Sequence, residues 1–224
     1  MDSKQDGNRR AVRRVLLAFS LIALAFFEFF YLFGFLDGTC YAFCVTFYNL
    51  PCLVFSVGMF LFGLTSVIAW FPKYTRVSMA FLSAYFGVTL LASLCWARWV
   101  PVISFVGLVL AATIYQLSPR KFPSLREFLE RFFFGLALST FLFLALGNCL
   151  DVTVKPFACA LVLLGALSIP LRVKYPRYSP VPLLLYFVIS LLVLGFHGLE
   201  LFGLVASALA LLAFDLKASG EWVH

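Results

Sequence analysis

A chain of 224 residues that is 63% hydrophobic and 12% charged, with a mean hydropathy of +1.03, has too little polar surface to enclose its apolar side chains as a water-soluble globule. The net charge of +7 is an excess that can attract nucleic acid, but the bases sit in short stretches between apolar runs, which is the pattern of a membrane protein with one basic face. The chain therefore reads as an all-α polytopic membrane protein, because lipid offers backbone groups no partner and a helix satisfies its own.

Residues 1–14 are polar and basic, and read as a cytosolic tail. Eight apolar runs follow, at 15–36, 51–71, 77–96, 100–117, 132–150, 156–171, 182–196 and 201–214. Each meets or approaches the roughly 20 residues that a spanning helix needs, the last three being short. The first run follows the basic head without a small-residue cleavage site, so the expectation is a retained helix rather than a cleaved signal. It carries Glu28 inside Ala25-Phe26-Phe27-Glu28-Phe29-Phe30-Tyr31, the one carboxylate well within an apolar run. An ionised group there costs about 2.5 to 3.5 kcal/mol on insertion scales. Two readings of Glu28 stand level: a cavity wall or buried polar contact, and a structural hydrogen bond between helices.

The next loop opens at Asp37-Gly38-Thr39 and runs through Asn49 to Pro51. Its Tyr41, Phe43, Phe47 and Tyr48 suit the membrane interface, and the loop is also where a luminal ligand would touch. Trp96-Ala97-Arg98-Trp99 joins the third and fourth runs as a belt anchor or a cation-aromatic contact. Residues 119–131 form a cytosolic linker in which Ser124-Leu125-Arg126-Glu127 fits a capping box. The linker is expected to be a helix lying on the membrane, with Arg126, Glu127, Glu130 and Arg131 on its charged face and Leu125, Phe128 and Leu129 on its apolar one. Asn148, Asp151 and Lys155 occupy a later non-cytosolic turn, and His197 and Glu200 the last one.

Of the 17 bases, 15 fall on one side of the eight-span arrangement, with Arg98 and Lys155 opposite. Both termini are therefore expected in the cytosol. No HExxH, GxSxG or CxxC pattern is present, so the expectation is no enzyme, no metal and no cofactor. Cys40 and Cys149, at non-cytosolic ends, read as a disulfide in an oxidising lumen or as buried small hydrophobes.

A short turn occurs twice, as Phe71-Pro72-Lys73-Tyr74-Thr75-Arg76 and Tyr175-Pro176-Arg177-Tyr178-Ser179-Pro180. Gly107-Leu108-Val109 with Tyr115-Gln116-Leu117 is similarly matched by Gly203-Leu204-Val205 with Phe214-Asp215-Leu216 when one triplet is added. This predicts a duplication, with four-helix units at 15–118 and 132–216, the linker at 119–131 and a cytosolic tail at 217–224. Gly58, Gly63, Ala84, Gly87, Ala137, Gly165 and Gly203 are the small residues expected to let helices approach.

The basic head, Phe27-Glu28 in the first helix, Trp96 closing the third, Gly107-Leu108-Val109-Leu110 in the fourth, Arg131 opening the fifth and Gly203-Leu204-Val205 leading to Gly220-Glu221-Trp222 together resemble the surfeit locus protein four family of endoplasmic reticulum cargo receptors. That resemblance implies two DoxX-like four-helix units and a role in sorting soluble luminal proteins from the reticulum to the Golgi. Luminal cargo and vesicle coat proteins would be its partners besides membrane lipids, with no nucleic acid. Asp37, Asn49, Arg98 and Glu200 would then be polar contacts to cargo, and Glu28 would stand where the family has an acidic residue in its first helix. The tail Trp222-Val223-His224 lacks a dibasic retrieval signal. A more local resemblance links Thr113-Ile114-Tyr115-Gln116-Leu117 with Lys121-Phe122 to the Bax inhibitor family of calcium-leak proteins. It implies the alternative, an ion channel or small-solute transporter of the endomembrane system, although that family's paired aspartates have no counterpart here and Asp215 stands alone.

Overall fold

The computed structural model describes residues 11–12, 14–28, 49–71, 73–93, 99–150, 156–194 and 198–219. The described residues form helices and connecting turns, with no strand among them. In chain order the helices are α1 (14–28), α2 (Asn49–Ile68), α3 (Thr75–Ser93), α4 (Trp99–Leu117), α5 (Leu125–Leu150), α6 (Pro156–Ala166), α7 (Ser168–Lys174), α8 (Pro180–Leu194) and α9 (Gly198–Ser219), with a 3₁₀ turn at Pro176–Tyr178 before α8. Pro156 and Pro180 each open a helix, where the missing N–H costs nothing. Pro170 lies inside α7 and removes the donor that would reach Ala166, the last residue of α6. The sixth apolar run accordingly breaks at Leu167.

Two expectations of the linker change. The N–H of Glu127 donates to Ser124 Oγ at 3.3 Å, so one arm of the capping box forms, but the helix it starts continues without interruption to Leu150. Linker and fifth run are one helix. Two of its residues also depart from the expected faces: Leu125 is 74% exposed while Glu130 is buried, because Glu130 has a partner in Arg172 and Leu125 has none in the core; Arg126 is exposed as expected.

The chain divides into two compact units, Met1–Phe122 and Pro123–His224. In the first, α1 contributes Leu24 and Phe27, α2 Met59, α3 Met79, Leu82, Tyr85 and Phe86, and α4 Ala111 and Ile114 to one core. Phe27 meets Tyr85 and Phe86 edge to face, at centroid distances of 6.5 and 6.1 Å. In the second unit α9 packs along α5 and α8, and α6 along α8. Phe141 meets Tyr186 at 4.9 Å with the rings at 88°, and Tyr186 meets Phe187 at 5.2 Å. Such pairs contribute about 0.5 to 1.5 kcal/mol beyond their buried area.

The same positions are buried in both units. Ser78, Leu82, Tyr85, Phe86 and Thr89 of α3 correspond at one constant spacing to Ser179, Leu183, Tyr186, Phe187 and Ser190, and all ten are buried. Ser104, Gly107, Ala111 and Ile114 of α4 correspond in the same way to Glu200, Gly203, Ser207 and Ala210 of α9. A Cβ on Gly107 would lie 2.7 Å from the Phe86 ring, and a Cβ on Gly203 would collide with Phe187. The ring of each third helix is thus seated on the bare backbone of the fourth. The paired turns correspond less well: Tyr74 is buried and Tyr178 is 58% exposed. Of the small residues expected at helix contacts, Gly63, Ala137, Gly165 and Gly203 are buried, whereas Gly58 and Gly87 face open space and Ala84 is exposed.

The outward faces are apolar. Val15, Phe19, Ile22 and Phe26 make an exposed stripe on α1, and Val102, Phe105, Val106 and Val109 one on α4. Many serine and threonine hydroxyls point inward instead and donate to carbonyls of their own helix, as in Ser66 to Gly63 (2.6 Å), Thr89 to Tyr85 (2.8 Å) and Ser139 to Gly135 (2.7 Å), whereas the buried Ser20 and Ser168 hydroxyls have no partner among the described residues. One crosses between helices: Ser78 Oγ donates to the carbonyl of Ser66 at 2.6 Å. Among the described residues, Leu125–Leu146 and Pro176–Val193 are long and apolar enough to cross a membrane, and Val57–Ile68, Thr75–Leu91, Pro101–Leu117 and Gly198–Phe214 are shorter apolar helices.

Candidate functional site

Polar chemistry collects at two levels: carboxylates inside the helical units, and arginines where α3 and α7 meet their turns. On α1 the spacing of Ser20, Leu24, Phe27 and Glu28 places all four on the buried face. Glu28 is 7% exposed. Its carboxyl lies over Gly63 of α2, where an added Cβ would collide with Oε1 and would come within 3.0 Å of the Tyr85 ring and 3.1 Å of Leu24. Three helices therefore converge on Gly63, where a side chain would require the Glu28 carboxyl to shift. The Tyr85 hydroxyl is within interaction range of the carboxyl, but neither oxygen of Glu28 completes a well-formed hydrogen bond within the described protein. A buried carboxyl without a full set of donors is suited to accept a proton, a cation or a polar ligand group.

The second unit has no carboxylate at the matching place. Leu142 follows Phe141 as Glu28 follows Phe27, and Gly165 of α6 receives the Phe141 ring where Gly63 receives the Glu28 carboxyl. Of its two buried acids, Glu130 pairs with Arg172, and Glu200, in the first turn of α9, is 6% exposed with Oε2 unpartnered among the described residues. Glu200 was expected in a turn offering contacts to cargo. It sits instead within a helix and faces inward, at the position of Ser104 in the first unit. An acid in a helix's first turn is favoured by the free N–H groups there. Of the other residues expected to touch cargo, Asp37 and Arg98 lie outside the described residues. Asn49 opens α2, with its side chain likewise outside them. Trp96 to Arg98, the loop aromatics, Cys40, Asp151, Lys155 and His197 fall there too; Trp99 opens α4 and Cys149 lies in the last turn of α5, their side chains outside the described set, while Cys159 is a free, exposed thiol.

The arginines were not anticipated as structural centres. Arg172 donates from Nη2 to Glu130 Oε1 at 2.6 Å, and its guanidinium lies 4.6 Å from the Phe134 ring and 5.3 Å from the Phe214 ring. Arg76 lies 4.4 Å from the Tyr115 ring and 6.0 Å from that of Phe122. Tyr115 and Phe214 are the two residues matched as anchors near the ends of the repeats, so the signal was present in the sequence. What it lacked was the identity of the side chain that each ring would hold.

No protein-family model matches the chain, and neither a curated protein nor a solved structure matches it.

Proposed function

We propose that the chain is a non-enzymatic, multi-pass membrane receptor that collects soluble luminal proteins in the endoplasmic reticulum for transport to the Golgi, built from two four-helix units with both termini cytosolic. The observation that carries this reading is the repeated seat of Phe86 on Gly107 and Phe187 on Gly203. It supports two similar, rigidly packed bundles of the kind implied by the resemblance to the surfeit locus protein four family. The apolar outward stripes and the inward hydroxyls support a lipid surround for those bundles. On this reading the bundles are scaffolds, and cargo is met by the loops on the side away from the bases, including Asp37 and Arg98.

One observation favours a second reading. Glu28, buried and without a completed hydrogen bond, is what a proton or cation route through the first unit would need. A single pair of measurements separates the two. In cells lacking the protein, specific secretory proteins accumulate in the reticulum if it is a receptor, and expression of the Glu28→Gln variant restores their export. If secretion is normal in those cells, while vesicles reconstituted with the protein leak calcium or another ion and Glu28→Gln stops the leak, the receptor reading fails and the channel takes its place.

A further inference from the structure

The two units each hold an arginine against aromatic rings near their base-rich turns, and among the described residues only one of the two charges is met by a carboxylate of its unit. In the second, Glu130 lies 2.6 Å from Arg172. In the first, Glu28 is the one carboxylate among the described residues, and it belongs to the core. Arg76 rests on Tyr115 and Phe122, with its Nε buried and without an acceptor. The contact with Phe122 also brings the preceding turn to the arginine. That turn is closed by the N–H of Lys121 donating to the Pro119 carbonyl at 2.8 Å, and its Arg120 and Lys121 are exposed. Lys73, also exposed, stands on the turn leading into α3, its Nζ 5.4 Å from the Tyr74 ring.

We propose that Arg76, with Lys73, Arg120 and Lys121, forms a binding site for the phosphate-monoester headgroup of an anionic lipid. A guanidinium held against an aromatic ring is pre-ordered to offer paired donors to a phosphate, and lysines add point charge around it. The surroundings favour a lipid over free phosphate. Phe122 is 66% and Leu117 45% exposed, so apolar surface borders the bases as it does at a membrane interface. In the second unit Glu130 already meets the corresponding arginine, so one such site is expected among the described residues. This inference is independent of whether the protein is a receptor or a channel.

The test uses the full-length protein in detergent, titrated with a short-chain phosphatidylinositol phosphate and, separately, with phosphatidylserine, soluble inositol phosphate and inorganic phosphate, with stoichiometry read by native mass spectrometry. One equivalent of the phosphoinositide is expected to bind about tenfold or more tightly than phosphatidylserine. Arg76→Gln weakens it by about tenfold, Arg76→Lys recovers only part of that, and Lys174→Gln in the second unit changes it less than about twofold. Equal losses for every base removed would mean general surface charge and would overturn the site. Inositol phosphate or inorganic phosphate binding as tightly as the lipid would overturn the lipid assignment. Should Arg76→Gln fail to fold, Arg120→Gln and Lys121→Gln provide the same reading, each expected to lower affinity several-fold where Lys174→Gln does not.

Discussion

The two units solve the same packing problem with the same residues and differ in how they treat charge. In both, a tyrosine-phenylalanine pair on the third helix, Tyr85-Phe86 or Tyr186-Phe187, fills the core and seats its phenylalanine on a glycine of the fourth helix. On the proposed membrane reading there is little hydrophobic force between helices, so close backbone approach and ring packing carry the association in both units alike. The ionic positions diverge: unit 1 has a carboxyl over Gly63 and an arginine held by rings, whereas unit 2 has a ring over Gly165 and an arginine held by rings and a carboxylate. Packing geometry is thus what the two units share, and charge placement is where they differ.

The comparison breaks most sharply at the glycine seats. Gly203→Leu and Gly107→Leu force side-chain atoms into space already taken by Phe187 and Phe86, and each is expected to cost about 3 kcal/mol. The check is a lower thermal midpoint in detergent, with the two variants alike. A large loss at one seat and none at the other would mean that the units are not equivalent.

Arg172→Gln leaves Glu130 buried without its partner. Because the arginine side chain is 23% exposed, the cost is expected near 2 kcal/mol, below that of fully buried pairs. Arg76→Gln strands no described carboxylate and is expected to cost under about 1 kcal/mol. Chemical denaturation of the two variants side by side tests this asymmetry directly.

Phe86→Leu and Phe187→Leu should each lose about 1 kcal/mol of ring packing, by the same measurement, without abolishing the fold. The smallest effect is expected at Ser124→Ala, which removes the acceptor for the Glu127 N–H and costs about 0.5 to 1 kcal/mol. Hydrogen exchange is expected to show it as fraying confined to the first turn of α5.

The sequence legibly carried the helical class and the positions of most helices, because apolar runs and flanking bases are local signals that composition and order alone express. It also marked Glu28 as buried and Tyr115 and Phe214 as matched anchors. It did not reveal that the linker and the fifth run are one helix, since the capping box marks a start and Arg126, Glu127, Glu130 and Arg131 look like a surface face until Arg172 is known to meet Glu130 across 42 positions of chain. Nor did it show that Glu200 turns inward, or that Gly107 belongs with Gly203 as a ring seat while Gly58 and Gly87 face open space. Those outcomes depend on which helix faces which. That is decided by contacts between residues far apart in sequence, whose energies no single stretch contains.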